Sequence, residues 1–273
     1  MEDKESFFIS LFKNKYIGDD GAIIGDQIFS KDLFCEDIHF KKGWMSLQEI
    51  AYKSMLINIS DAIVMNAHPK YALIGIKIPS FYTPFQMEEL SKGFVRASRE
   101  FDFEIIGGDT VAGDKLDISI TLISESKKPI RRDNIQEGSL IAYTGDLGSV
   151  KKDLDALLND QSISQDSKFI TPKLRGNFFY EASHLINSAL DISDGLSKDL
   201  SRLSKLNNIG FKFFSQLDKD ILCSGEEYEI LFSFYPLDEK EIKEIAKKHN
   251  LKINIIAQAI EGKYQSECEE NHF

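Results

Sequence analysis

A chain of 273 residues that is 42% apolar and 28% charged can bury a sizeable core, and is more naturally two domains than one. Its 33 Lys and Arg against 44 Asp and Glu give a formal charge of −11, which argues against a nucleic-acid or anionic-membrane binder but leaves local phosphate binding through cations open. The start, MEDKESFFISLF, is acidic and short in apolar length, so it does not read as a signal peptide, and no apolar run reaches the length of a membrane span.

Along the chain the pattern alternates between periods of 3.6 and of two. QEIAYKSMLINIS (48–60) sets Ile50, Ala51, Ser54, Met55 and Asn58 at helical spacing, and SDAIVMNA carries the apolar pattern on. YALIGIKIP (71–79) predicts a strand closed by Pro79; residues 83–101 predict an amphipathic helix, with Thr83 and Pro84 suited to its start. FEIIGG is a short strand into a turn, and KLDISITLISES (115–126) alternates as a half-buried strand. The charged stretch 125–138 is the best place for a domain boundary or crossover. Beyond it, SLIAYTG predicts a strand, SVKKDLDALLN a helix, 160–168 a polar loop and 171–189 a helix that tolerates Gly176. The strand ALDIS, the helix GLSKDLSRLSKL, the strands IGFKFF and YEILFSF, a helix over 236–250 and the strand LKINIIAQA complete the pattern, which is that of α/β or α+β layers. Cys35, Cys223 and Cys268 are odd in number and widely spaced, and read as reduced thiols of a cytoplasmic protein.

The chemistry lies in where the acids fall. Asp19 and Asp20 follow a glycine, Asp32 sits inside IFSKDLF, Asp61 in INISDAIV, Asp109 in EIIGGDT, and Asp191 and Asp194 in LDISDGL. Each has an ordinary explanation: Asp20 closing a turn, Ser60 or Asp61 capping a helix, GGDT forming a hairpin turn, Ser193 or Asp194 capping the next helix. Together, all beside apolar runs, they point to convergence. Two carboxylates about 4 Å apart repel by roughly 4 kcal/mol at an effective dielectric near 20. Several such pairs would exceed the roughly 5–15 kcal/mol stability of a domain, so a convergent cluster is protonated or holds cations. Oxygen ligands without His or Cys point to Mg²⁺, which completes its shell with water and substrate phosphates, and hence to phosphoryl transfer. Neither a P-loop nor the protein-kinase signature set is present.

The ordered motifs GDD (18–20), SKDLFCEDIHF (30–40), NISDAIVMNAHPKYAL (58–73), IIGGDT (105–110), YTGDLG (143–148), DISDGLSKDL (191–200) and SGEEYEILF (224–232) resemble those of the thiamine-monophosphate kinase family, in register from about residue 17 to 260. That family belongs to the aminoimidazole-ribonucleotide-synthetase-like ATP-binding superfamily. The resemblance implies an α/β (α+β) chain of two domains: residues 1–130 bind ATP and Mg²⁺ and dimerise, and 131–273 form a C-terminal α/β domain over them. It implies a cytoplasmic homodimer using ATP, several Mg²⁺ ions and thiamine monophosphate, with no nucleic acid or membrane partner. Metal positions map onto Asp20, Ser30, Lys31, Asp32, Asp61, Asp109 and Asp191, with Asp194 at a further magnesium position. Gly108, Asp109, Arg132 and Ser193 match nucleotide contacts; His39, seven residues after Asp32, and Glu226 match substrate contacts. Transfer would then centre on Asp32, Asp61, Asp109 and Arg132. The acceptor is a phosphate already ionised near neutral pH, so the task is positioning and charge neutralisation rather than general-base catalysis.

Three positions depart from the family pattern: Lys31 stands for a usual Thr, Ser224 for a glycine, and Glu270 for an aromatic near the end. At position 31 a backbone carbonyl would still bind metal, while the Lys side chain would compete with an ion; Glu270 bears on substrate affinity more than on nucleotide binding. Two other readings compete. A selenophosphate-synthetase-like or hydrogenase-maturation-like enzyme of the superfamily would want a Cys before Cys35 or a C-terminal Cys where Phe273 stands. A non-catalytic nucleotide or thiamine-phosphate sensor would bind ATP and release no product.

Overall fold

The computed structural model describes residues 4–268, so the final EENHF, with Glu270, lies outside the described residues. After the short helix α1 (Lys4–Ser10), the N-terminal half builds one sheet from β1 (Ala22–Ile24), β2 (Gln27–Cys35), β3 (His68–Pro79), β4 (Glu104–Gly113) and β5 (Asp117–Glu125). Their order is β1-β2-β5-β3-β4. β3 and β4 run parallel, connected by α3 (Pro84–Glu100), and the other neighbours are antiparallel. The Thr83 hydroxyl accepts from the Gln86 backbone N–H and Gln86 reaches back to Thr83, a capping box that starts α3 where the sequence predicts it. In β5 burial alternates residue by residue as its pattern requires, Ile118, Ile120 and Leu122 inward.

The C-terminal half builds a second, antiparallel sheet from β6 (Leu140–Thr144), β7 (Ile186–Asp191), β8 (Ile209–Phe213), β9 (Ile230–Phe234) and β10 (Ile253–Glu261), in the order β7-β9-β6-β10-β8. Its helices are α4 (Ser149–Leu158), α5 (Gly176–Ala182), α6 (Leu196–Asn207), α7 (Lys219–Leu222) and α8 (Glu239–Lys248). Both faces of this sheet are covered, so β6 and β9 are apolar at nearly every position. Leu140, Ala142, Phe232 and Phe234 join one core, and Ile141, Tyr143 and Leu231 join another with Leu196, Leu200 and Leu203 of α6.

Helix α2 (Leu47–Val64) lies between the two sheets, packing on β2 and β5 on one side and on β7 and α5 on the other. Fourteen of its eighteen residues are buried, so it is buried all round rather than striped, Lys53 and Asn58 included. That central helix sets the site, because it carries Asp61 and faces both halves.

Four local readings change. The stretch 103–108 does not turn: β4 runs through Gly107 and Gly108 to Gly113. Both glycines have positive φ, and a Cβ at Gly108 would lie 1.8 Å from the Ile74 carbonyl oxygen, so only glycine lets β4 lie this close to β3. The helix expected over 171–189 is confined to α5 plus a single 3₁₀ turn (Ser183–Leu185), because Pro172 precedes it and Arg175 is held by its ion pair with buried Glu229. Neither Ser193 nor Asp194 caps α6; its cap is Gly195, without a side-chain bond. The thiol assignment is also corrected: Cys223 and Cys268 form a disulfide with Cα atoms 5.5 Å apart, and Cys35 is the free cysteine. Forty-five residues separate the two in sequence, and only the return of the chain after β10 onto the loop before Ser224 brings them together.

Candidate active site

Four acids converge where α2 meets the two sheets. Asp20 lies in the loop before β1, Asp32 in β2, Asp61 in the last turns of α2 and Asp191 at the end of β7. One carboxylate oxygen each from Asp20, Asp61 and Asp191 lie within 4.8 Å of one another. Asp32 lies beside Asp61, and Ser60 beside Asp191; two carboxyls brought together in this way share a proton or a cation. Burial, then the charge of Asp20, pushes the Asp32 carboxyl up to about 6, with the Asp61 contact pulling the other way. Burial first, then neighbouring carboxylates, drives Asp61 and Asp191 well above the usual carboxylate range.

Arg132 enters this cluster. Its guanidinium forks onto Asp20, Nε donating to Oδ2 at 2.9 Å and Nη2 to Oδ1, while its backbone N–H donates to Asp19 at 3.2 Å. Its carbonyl accepts from Ser188 and Asn207, which pins the 125–138 stretch over β7 and α6. Arg131, its neighbour, turns outward to Asp133 at 3.0 Å. The donor set is three to four carboxylates, Asp191 buried and the others half-buried, with no His or Cys, which fits a hard divalent cation such as Mg²⁺.

The remaining expected residues divide. Asp194 ion-pairs with Arg202, which also holds buried Asp199 at 2.9 Å, so Asp194 stands beside the cluster rather than within it. The carbonyl of Ser193 accepts from the Glu226 N–H at 2.7 Å, joining the nucleotide and substrate motifs through the backbone. Glu226 pairs with Lys53 of α2 at 2.7 Å. His39 Nδ1 accepts from the Cys35 N–H at 3.0 Å, which leaves the proton of a neutral ring on Nε2, and its ring lies against Phe34. Ser30 is buried and donates to Asn58 Oδ1 at 2.5 Å. Lys31 points to the other face of the sheet, donating to Ser119 at 2.6 Å, so its side chain does not compete with a cation.

Gly108 and Asp109 are not brought to the cluster. The register sets Asp109 in one row with Gly75, Ser119 and Leu33, the sheet face opposite to that of Asp32. Three strand spacings of about 4.8 Å also put β4 roughly 14 Å from β2. Sequence reasoning missed Lys53, Arg202 and Asp199. The signal for Lys53 was its isolation: a lone cation in the middle of a helix that is otherwise buried all round.

Residues 18–125 match the family model for AIR synthase related protein, N-terminal domain, and 138–268 that for its C-terminal domain. The chain is 31% identical over 238 residues to a thiamine-monophosphate kinase of Nitrosopumilus maritimus (strain SCM1), covering 80% of this chain and 77% of that one. It is 30% identical over 297 residues to one from Buchnera aphidicola subsp. Schizaphis graminum (strain Sg), covering 94% and 91%. The solved structure "AaThiL complexed with AMPPCP and TMP" superposes with a TM-score of 0.83 over 97% of this chain and 94% of that one, at 23% identity. With its motifs in order, its two-sheet fold and these relatives, the chain belongs to the thiamine-monophosphate kinase family.

Proposed function

We propose that the protein transfers the γ-phosphoryl group of ATP to the phosphate of thiamine monophosphate, giving ADP and thiamine diphosphate. The observation that carries this reading is the all-oxygen convergence of half-buried Asp20, Asp32 and Asp61 with buried Asp191 in a chain of this family. Asp20, Asp61 and Asp191, with Asp32 beside them, would hold Mg²⁺. Bound there, Mg²⁺ supplies positive charge that draws in the ATP phosphates and spreads the charge of transfer. Arg132 adds a forked donor at the edge of the cluster, suited to phosphate oxygens. Ser193, Gly108 and Asp109 contact the nucleotide, and Asp194 takes the further magnesium position. His39 offers Nε2–H to the acceptor phosphate, and Glu226 contacts the thiamine portion. No side chain has to remove a proton, because the acceptor oxygen is already ionised near neutral pH. Residues 1–130 carry the ATP and metal site and the dimer contact; 131–273 cover it.

The working unit in this reading is a homodimer. β4 is an uncovered sheet edge, and the outer face of that sheet exposes Leu33, Leu73 and Val111. Within one copy Asp109 is cut off from the acids by the sheet itself, so contact with a second copy is what lets Asp109 serve a metal site. A cytoplasmic location suits an ATP-dependent enzyme, and thiol buffers there would oppose the Cys223–Cys268 bond. The test is ADP release by purified protein with ATP and Mg²⁺, with and without thiamine monophosphate, the thiamine product being identified by chromatography. ADP matched by thiamine diphosphate supports the kinase. ATP binding without either product would leave the sensor reading in its place.

A further inference from the structure

Lys53 is a buried cation that the phosphoryl-transfer scheme leaves unused. Its side chain is fully buried in the middle of α2. Its Nζ lies 2.7 Å from Glu226 Oε2, 4.2 Å from the centre of the Phe169 ring and 5.5 Å from that of Phe34. An ammonium removed from water is costly unless it is paired, and here one carboxylate and two aromatic faces supply the compensation. The pair crosses the molecule, from the helix of the N-terminal half to the loop before β9.

That loop is held in an unusual backbone. Glu226 and Tyr228 have φ of 54° and 50°, a region that side-chain-bearing residues rarely adopt. The backbone N–H of Glu226 is fixed by Ser193, and its side chain by Lys53. With Oε2 engaged, Oε1 accepts no hydrogen bond among the described residues, and the side chain is 16% exposed. The second expected substrate contact meets the same lysine, because the farther of the two rings at Nζ is Phe34, against which His39 lies at 5.3 Å between centroids.

We propose that Lys53 is a positioning residue for substrate recognition: it occupies Oε2 of Glu226, fixes the carboxylate's orientation and leaves Oε1 to accept from the thiamine portion, while seating Phe34 under His39. This rests on the reading of Glu226 as a substrate contact. Lys53 touches no substrate itself. Its loss is therefore felt in thiamine monophosphate affinity and not in ATP affinity, a division that a purely structural clamp between the halves would not produce.

The experiment is a double-mutant cycle on the full chain with Lys53→Met, Glu226→Gln and the pair. It is read by the KM of each substrate and by calorimetric titration of thiamine monophosphate. Glu226→Gln raises the KM and Kd for thiamine monophosphate about tenfold or more, as expected for a lost charged hydrogen bond. Lys53→Met raises them by a similar factor with the KM for ATP within about twofold, and the double variant is no worse than Glu226→Gln alone. Lys53→Gln keeps a donor in reach of Oε2; it shows a smaller rise, about threefold, and is scored by the same ratio if the methionine variant does not fold. The proposal is overturned if a folded Lys53 variant shifts both substrates equally or neither, or if the two losses multiply, while Glu226→Gln still weakens thiamine monophosphate. If Glu226→Gln itself leaves that affinity unchanged, the substrate role of Glu226 fails, and the positioning role falls with it.

Discussion

Replacing Asp61 by Asn separates the cost of the acid cluster from its use. Asp61 faces Asp20 and Asp191 with carboxylate oxygens no more than 4.8 Å apart. At that distance and an effective dielectric near 20, each charged pair repels by about 3.5 kcal/mol. Two pairs set a ceiling near 7 kcal/mol, which Arg132 and shared protons reduce to a net of about 2 kcal/mol. Without metal, Asp61→Asn is therefore more stable than wild type, with Tm higher by about 4 °C for a chain of this size. Mg²⁺ reverses the order. At a hundred times its dissociation constant a single ion stabilises the wild type by about 2.7 kcal/mol, or roughly 5 °C, and the Asn variant by little. Turnover in the variant is lost. Differential scanning calorimetry in EDTA and in millimolar Mg²⁺ measures the stability shifts, and ADP release measures the turnover. A variant less stable than wild type in EDTA, or one with the same Mg²⁺ shift, would refute the reasoning.

Arg132→Met leaves Asp20 without its forked partner, so it destabilises the metal-free protein by about 3 kcal/mol; denaturant unfolding in EDTA and in Mg²⁺ should show Mg²⁺ restoring part of the loss, and equal losses in both would contradict the pairing. Burial, followed by the charge of Asp20, raises the Asp32 carboxyl to about 6 in the folded chain, against 3.8 as its ordinary value, so the folded state binds the extra proton between those values. In EDTA, the Tm of wild type minus that of Asp32→Asn should fall as pH rises from about 4 to about 6 and level off above about 7; a flat or rising difference would remove the buried carboxyl from the account. Thiol titration of the oxidised, denatured chain should find Cys35 alone, and reduction or Cys268→Ser should cost about 4 kcal/mol for a closed loop of 45 residues. Three titratable thiols without reductant would exclude the bond.

Local periodicity carries the elements whose burial is one-sided. β5 alternates and α3 is striped and capped, so both are visible in the sequence. β1 and β2 are not marked by alternation strong enough to be read, and YEILFSF loses its first two residues because Tyr228 sits at positive φ. The acids of the site are legible because each stands at an apolar run, Asp20 and Asp61 directly beside Gly or Ser, which is how a scaffold presents functional groups. What cannot be read is partnership over distance. Lys53 and Glu226 are 173 residues apart, and Arg132 reaches Asp20 across 112. Nor does the spacing reveal that Asp109 belongs to the outer face of the sheet, since that depends on a register shift between Ala72 and Leu73 opposite Gly107.

The central claim is that this acid cluster supports transfer of a phosphoryl group from ATP to a phosphate acceptor. A single-turnover experiment with γ-labelled ATP, thiamine monophosphate and enzyme in excess tests it most directly. The account predicts label in thiamine diphosphate, one per ATP consumed, with Mg²⁺ and none in EDTA or in Asp61→Asn. Label released as free phosphate, or thiamine diphosphate labelled equally without Mg²⁺, would contradict it.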